Sequence, residues 1–165
     1  MAGPTAGGCL GQPARYCFTM RLDLTKRSDY AIRAMLSLTM AREGLLSSRK
    51  IAEEMKIPPR FLPQIMGDLT RAGLVEAHPG RAGGYKLARS ASSVTLLTVI
   101  EAVEGDPHRQ ICVMRGTPCG QDGECGVHDV FYAAVSAILE KLGGATLQGI
   151  IDAYVAKQAG GAAAR

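Results

Sequence analysis

The sequence predicts a mostly α-helical protein, a winged helix-turn-helix with a small two-stranded wing and a long C-terminal helix. Three observations favour this fold. Short helical patterns with a tight turn between the second and the third fill 28–72, a glycine-tipped hairpin pattern follows, and the segment 127–142 is apolar over much of its circumference. In such a fold the third helix enters the major groove of a DNA duplex, and a basic wing lies along the backbone or the minor groove.

The first two helices have recognisable starts. Helix one is predicted over roughly 28–42, with Ser28 as its N-cap and Asp29 at the positive end of the helix dipole. Helix two is predicted over 48–55 with Ser47 as its cap, and 56–58 form a tight turn. The apolar residues of helix one recur at helical spacing and predict its buried side: Ala31, Ala34, Met35 and Leu38.

Helix three is predicted over roughly 59–72, with Pro59 in its first turn and Gly73 as the residue that ends it. Pro63 then lies deeper in the helix, where it is expected to cost one backbone hydrogen bond. The spacing of four apolar residues predicts the side that faces the core: Leu62, Ile65, Met66 and Leu69.

The wing and the later helices follow in order. Strands are predicted at 74–78 and 85–88, and the glycines between them allow the positive φ angles of a tight tip. Helix four is predicted over 95–104 with Thr95 as its cap, helix five over 127–142, and a short last helix from Thr146. One side of helix five is broadly apolar: Val127, Phe131, Ala134, Val135, Ile138 and Leu142.

The charge distribution and a few side chains indicate where DNA would bind. Residues 20–93 carry 13 Lys and Arg against 7 Asp and Glu, whereas 94–158 carry 4 against 8, so only the first part suits an anionic polymer. Side chains opposite the apolar stripe of helix three, at the start of helix two and at the wing tip are candidates for base or phosphate contacts. In that order they are Arg60, Gln64, Asp68 and Arg71, then Ser48, Arg49 and Lys50, then Arg81.

Three cysteines and a histidine lie close together after helix four. They are Cys112, Cys119, Cys125 and His128, and the residues between them are rich in glycine, which predicts a loop. Thiolate ligands suit iron–sulfur clusters, zinc and Cu(I), so the loop is a candidate metal site. The thiols could instead act as a redox switch without a metal.

Composition narrows the classes of protein. The chain has 165 residues, 47% of them hydrophobic and 21% charged, which is typical of a soluble globular protein. An odd number of cysteines and the lack of a secretory signal favour a reducing cytoplasm, and no apolar run is long enough to span a membrane. The sequence shows no phosphate loop, dinucleotide fingerprint or nucleophile–base set, so neither an enzyme nor a small-molecule substrate is expected.

Five segments are expected along the chain. Residues 1–19 are predicted to be a disordered leader, with Met20 as a possible natural start, and 159–165 a disordered tail. Between them lie a DNA-binding domain at 20–93, a linking helix with the cysteine loop at 94–126, and the last two helices at 127–158.

The chain resembles the Rrf2 family of bacterial regulators, which includes the IscR, NsrR and RirA types. The resemblance runs from about residue 20 to 157. Its most specific parts are 20–22, 24–31, 51–53, 57–62, 69–75, 80–85 and the three cysteines.

The resemblance implies a homodimeric transcriptional regulator, expected to be a repressor, that binds an operator in double-stranded DNA. It implies that helix five is the dimerisation helix and that Cys112, Cys119 and Cys125 hold a [2Fe-2S] or [4Fe-4S] cluster. His128 resembles the fourth ligand of IscR-type members, and Asp29 the aspartate that NsrR-type members contribute from the partner subunit. A structural zinc site, or a thiol switch without metal, remains the alternative for the same fold.

Overall fold

The computed structural model describes residues 24–41, 44–80, 83–105 and 126–162. The predicted leader with Cys9 and Cys17, the wing-tip residue Arg81 and the three loop cysteines lie outside these ranges. Among the described residues there are six helices and two strands: α1 Lys26–Met40, α2 Ser48–Met55, α3 Leu62–Arg71, β1 Val75–His78, β2 Gly84–Leu87, α4 Leu96–Glu104, α5 Gly126–Gly144 and α6 Leu147–Ala162. None of the described helices is both long and apolar enough to cross a bilayer.

Helix α1 starts two residues earlier than predicted. Its N-cap is Thr25, whose hydroxyl accepts a hydrogen bond from the Ser28 N–H at 3.1 Å, so the prediction of Ser28 as cap was wrong. Ser28 is instead a buried residue of the first turn, and its hydroxyl donates to Glu104 on α4. The predicted buried side of this helix is confirmed, since Ala31, Ala34, Met35 and Leu38 are all buried.

The helix-turn-helix formed by α2 and α3 is confirmed, but α3 begins later than expected. Helix α2 has the predicted bounds and the predicted Ser47 cap, and Lys56 ends it in the left-handed region at φ 53°. Helix α3 begins at Leu62 because the preceding residues form a separate turn, closed by a 3.0 Å bond from the Phe61 N–H to the Pro58 carbonyl. Pro63 therefore occupies the first turn, where a missing N–H costs no helical hydrogen bond, and the cost expected for it does not arise.

The core lies where α1, α2, α3 and α4 meet beneath the wing. The predicted apolar stripe of α3 is buried throughout, and Gly73 ends that helix at φ 67°, as expected. Helix α4 contributes Val99, which is 0% exposed. The largest side chains with less than 2% exposure come from α1, α2, α3, β1, α6 and the connections between elements: Met35, Leu38, Ile51, Ile57, Leu62, Ile65, Met66, Leu69, Leu74, Val75, Val94 and Leu147. This arrangement presents α3 as one wall of the domain, with its opposite side free.

The wing is a two-stranded antiparallel hairpin that is also joined to the start of α2. Strands β1 and β2 pair from Val75↔Leu87 to His78↔Gly84. Leu46, just before the α2 cap, exchanges two backbone bonds with Tyr85, at 3.0 and 2.8 Å. A Cβ on Gly84 would lie 2.5 Å from the Leu46 carbonyl oxygen, so this close approach requires glycine.

The chain after the wing packs against α1 through α4 and α6. Thr95 caps α4 as predicted, and α4 packs against α1. Leu147, at the start of α6, is fully buried and donates its N–H to the Val94 carbonyl at 2.9 Å. Helix α6 is longer than the short helix predicted and continues to Ala162, four residues into the segment expected to be a disordered tail, because each added helical residue gains one backbone hydrogen bond.

Candidate nucleic-acid interface

The free side of α3 carries the side chains that the sequence singled out for base contacts. Gln64 and Arg71 are exposed on the helix, and Arg60 is exposed in the turn just before it. The buried side of the same helix is packed into the core, so this surface is held rigidly by the hydrophobic contacts behind it.

The sequence predicted that Asp68 would lie on that surface, but this prediction was wrong because Asp68 is buried. Its side chain is 3% exposed and forms ion pairs with Arg27 at the start of α1 and with Arg71 on α3. A buried carboxylate is tolerated only when it is paired, and here two guanidinium groups that are 42% and 77% exposed satisfy it. The i,i+3 spacing of Asp68 and Arg71 was a local signal that could have predicted their pairing, but no local signal indicated Arg27, which is 41 residues away.

Arg60 is oriented by an aromatic pair. Its guanidinium carbon lies 4.7 Å from the centroid of the Phe61 ring, and that ring packs against Tyr30 of α1 with centroids 5.9 Å apart. Cation–π contact favours this position of the guanidinium while leaving its N–H groups free to donate at the edge. The roles of Phe61 and Tyr30 could not be predicted from the sequence, because stacking between distant elements leaves no periodic signal.

The predicted phosphate contacts at the start of α2 are exposed. Arg49 donates to Glu53 at 2.8 Å, and its side chain is 87% exposed. That hydrogen bond, with the attraction of the carboxylate, raises the pKa of the Arg49 guanidinium. Lys50 lies 3.8 Å from Glu54, and Ser48 is exposed in the first turn of the helix. A phosphate at this position would compete with two solvated carboxylates for the same cations.

The wing adds charged groups that the sequence analysis did not select. Lys86 on β2 lies 2.9 Å from Glu76 on β1, and His78 lies 3.5 Å from the same carboxylate. The hydrogen bond from Lys86 lowers the pKa of Glu76, and His78 lowers it further. Because Leu46 joins β2 to the start of α2, the wing and the candidate phosphate contacts on α2 are held by one backbone connection.

Of the predicted metal ligands, only the Asp29 side chain lies within the described residues. The cysteines lie outside the described residues, and so does the side chain of His128, whose backbone belongs to the first turn of α5. Within the described part of the chain, no group of three or more possible ligands is gathered for a metal ion. Asp29 is in the first turn of α1, where its Oδ1 accepts a 2.8 Å hydrogen bond from Arg33.

The helix that leads into the cysteine segment is tied to the start of α1. Glu104 is the last residue of α4, and its carboxylate accepts hydrogen bonds from Thr25 and, at 2.9 Å, from Ser28. Gly105 follows with φ 87°, which turns the chain sharply away from the helix axis. The sequence carries no local signal for this role of Glu104, because its partners lie 76 and 79 residues away.

Helix α5 exposes a large part of its apolar surface. Val127, Val130, Val135 and Ile138 are between 36% and 69% exposed, and Ala134 is also exposed. Phe131 and Leu142 are half-buried. Most of the side predicted to form a dimer is therefore uncovered in a single chain.

Comparison with known proteins identifies a family. The family model Rrf2, described as an iron-dependent transcriptional regulator, matches residues 24–153. A protein of Neisseria meningitidis serogroup A, provisionally named an HTH-type transcriptional regulator, is 35% identical over 130 residues, which cover 78% of this chain and 87% of that protein.

Two solved structures share the fold. The structure of T. potens IscR matches with a TM-score of 0.69 and 26% identity, over 82% of this chain and 90% of that one. CymR of B. subtilis, described as a global cysteine regulator, matches with a TM-score of 0.67 and 25% identity, over 79% of this chain and 96% of that one.

The buried ion pairs of Asp68 generate a stability prediction. Asp68→Asn should lower the free energy of unfolding by about 1–3 kcal/mol, because a neutral amide loses two charge-assisted bonds in a buried position. Urea denaturation followed by circular dichroism measures the change.

The matched control is Asp152→Asn on α6, an exposed residue hydrogen-bonded to Gln148, which should change stability by less than about 0.5 kcal/mol. Equal unfolding curves for Asp68→Asn and the parent protein would show that the buried ion pairs contribute nothing.

Proposed function

The chain belongs to the Rrf2 family of transcriptional regulators, and we propose that it is an iron–sulfur cluster-sensing member that binds promoter DNA as a homodimer. It is a DNA-binding transcriptional regulator and not an enzyme. The observation that carries the cluster-sensing proposal is the hydrogen-bonded connection from Glu104, beside the cysteine segment, to α1 and from there to the recognition helix α3.

The chemistry of the loop supports a cluster. Three thiols within a short glycine-containing segment can supply three of the four ligands that an iron–sulfur cluster takes from a protein. The description of the family as iron-dependent agrees with this choice. When bound, a cluster would hold the three thiolates together and so restrict the segment that runs from Gly105 to α5.

The contacts around α1 supply a physical path between that segment and the DNA-binding surface. Glu104 accepts from Thr25 and Ser28 in the first turn of α1. In the same turn, Arg27 pairs with Asp68 of α3. A displacement of the end of α4 would therefore pull on the turn that also fixes the recognition helix. The energy available for control is the difference in cluster binding between the two arrangements.

The fourth ligand is proposed to be His128. Asp29 already pairs with Arg33 through Oδ1, whereas His128 follows Cys125 closely in the chain. The Asp29→Ala and His128→Ala variants distinguish the two choices by their cluster absorption.

Homodimerisation through α5 is supported by its uncovered apolar side. Exposed valine and isoleucine at helical spacing form a stripe that water solvates poorly, and the same stripe on a second copy would cover it by two-fold symmetry. A dimer places two recognition helices on successive half-sites of one operator.

The second candidate function is a regulator of the same fold that senses through zinc or free thiols. The similarity to CymR supports it, because that protein is described as a global cysteine regulator and its description names no iron. Three cysteines and a histidine also match a structural zinc site. Anaerobically purified protein that is colourless and contains zinc would favour this candidate.

Sequence-specific DNA binding is expected to depend on α3. Selection of the full-length protein against a random duplex library should enrich one motif, and Gln64→Ala should relax the preference at one base position. Loss of a base contact costs about 1–3 kcal/mol, which is roughly 5- to 150-fold in operator affinity. Gln148→Ala on α6 is the control and should leave the motif unchanged. Failure of the parent protein to enrich any motif, with or without a cluster, contradicts the proposal.

Cluster sensing predicts two kinds of variant. Cys112→Ala, Cys119→Ala and Cys125→Ala should each lose the visible absorption after anaerobic reconstitution with iron and sulfide, whereas Cys9→Ala and Cys17→Ala should keep it.

Glu104→Ala should keep the absorption but reduce the difference in operator affinity between cluster-loaded and cluster-free protein, because its hydrogen bonds to α1 are gone. Glu101→Ala, on the same helix, is the control.

The cluster proposal is wrong if the parent protein takes up no iron under these conditions. The coupling path is wrong if Glu104→Ala retains the full affinity difference between the two cluster states.

The dimer proposal is tested by placing a charge in the apolar stripe of α5. Ile138→Asp should yield monomers at micromolar concentration in analytical ultracentrifugation, because the stripe would then bury an unpaired carboxylate. Ser136→Asp, exposed on another side of the same helix, should remain dimeric. A parent protein that sediments as a monomer at the same concentration contradicts the proposal.

A further inference from the structure

Gly67 lies in the middle of the recognition helix, where glycine is unfavourable. Helix α3 runs from Leu62 to Arg71, so Gly67 has helical neighbours on both sides. Glycine in a helix interior destabilises the fold relative to alanine because it loses more backbone entropy and buries less surface. Some compensating reason for the glycine is therefore expected.

The protein's own packing does not supply that reason. Apart from its neighbours in the chain and the backbone of its own helix, no atom in the described part of the chain lies within 4 Å of a Cβ built on Gly67. The backbone conformation does not require glycine either, because the described glycines with positive φ are Gly73, Gly80 and Gly105. At Gly84, by contrast, the fold itself requires glycine, because a Cβ there would clash with the Leu46 backbone.

Gly67 lies at the centre of the free side of α3. With about 100° between successive residues, it is about 40° from Pro63 on one side and about 40° from Arg71 on the other. Gln64 is about 60° away, on the same side as Arg71. Pro63, Gln64 and Arg71 are exposed, whereas the residues on the opposite side are buried in the core.

We propose that Gly67 is the point at which the DNA major groove approaches the helix backbone most closely, and that its missing side chain sets how deeply α3 enters the groove. This inference rests on the proposed DNA-binding surface. The major groove is about 12 Å wide, and an α-helix with its side chains is about 10–12 Å across, so the fit leaves little spare room. A side chain at the centre of the entering surface would hold the helix away from the base edges.

The depth of entry decides what the flanking side chains can do. Arg71 and Gln64 lie about 40° and 60° to the same side of Gly67, and both reach towards the groove floor only if no side chain at Gly67 holds the helix away from it. Gly67 is thus a positioning residue for base contacts made by its neighbours, and it needs no contact of its own with a base.

Two substitutions at Gly67 separate stability from DNA binding. Gly67→Ala and Gly67→Leu both improve helix propensity, so each should raise Tm by about 2–4 °C in the full-length protein. Operator affinity should fall with side-chain size, several-fold for alanine and more than about 50-fold for leucine, the range that a disrupted base pair contact gives. Differential scanning fluorimetry and fluorescence anisotropy with the selected operator duplex measure the two effects.

Gly144→Ala is the matched control. Gly144 is the last residue of α5, and outside its chain neighbours and its own helix backbone no described atom lies within 4 Å of a Cβ built on it. The same substitution there should leave operator affinity unchanged.

Each outcome decides the inference. It is overturned if Gly67→Leu binds the operator within twofold of the parent protein, or if Gly67→Ala melts below it, since the glycine would then serve the protein's own packing. A parent protein that prefers no duplex overturns the proposed function as well. A higher Tm with graded loss of operator affinity supports the inference.

Discussion

The buried carboxylate of Asp68 is the constraint on which the candidate interface depends. A charge with 3% exposure is stable only beside its cations, and because Arg71 turns with α3, it is the ion pair with Arg27 of α1 that favours one rotation of α3 about its axis. That rotation faces Gly67 and Gln64 outward and the apolar stripe inward. The hydrophobic contacts hold α3 against the core, while the ion pairs determine which of its side chains faces a duplex.

The first turn of α1 connects this constraint to the rest of the chain. Arg27 forms an ion pair with Asp68 of the recognition helix, and Thr25 and Ser28 donate hydrogen bonds to Glu104, the last residue of α4. A single helical turn therefore donates hydrogen bonds to two carboxylates, Glu104 and Asp68, that lie in different helices. Such a turn can relate the position of one element to that of the other without any change in the core between them.

Local sequence patterns predicted most helices and strands, whereas side chains whose partners lie far away in sequence could not be predicted from them. The Ser47 cap and the apolar spacing gave α2 its observed bounds, and the spacing within α3 correctly placed Gln64 and Arg71 on the free side. The start of α3 was misplaced because two prolines competed for its first turn. Ser28 was mistaken for a cap because its true partner, Glu104, lies 76 residues away. The same limit hid the burial of Asp68, whose cation at Arg27 could be known only from the folded chain.

The backbone bonds between Leu46 and Tyr85 have a consequence for how the domain can vary. Leu46 is fixed by these bonds, so insertions or deletions between the end of α1 and Leu46 change only the length of the connection that joins them. Any change between Leu46 and Ser48 would instead shift the start of α2 relative to the wing. Family members should accordingly differ in length on one side of this anchor and keep a constant spacing on the other.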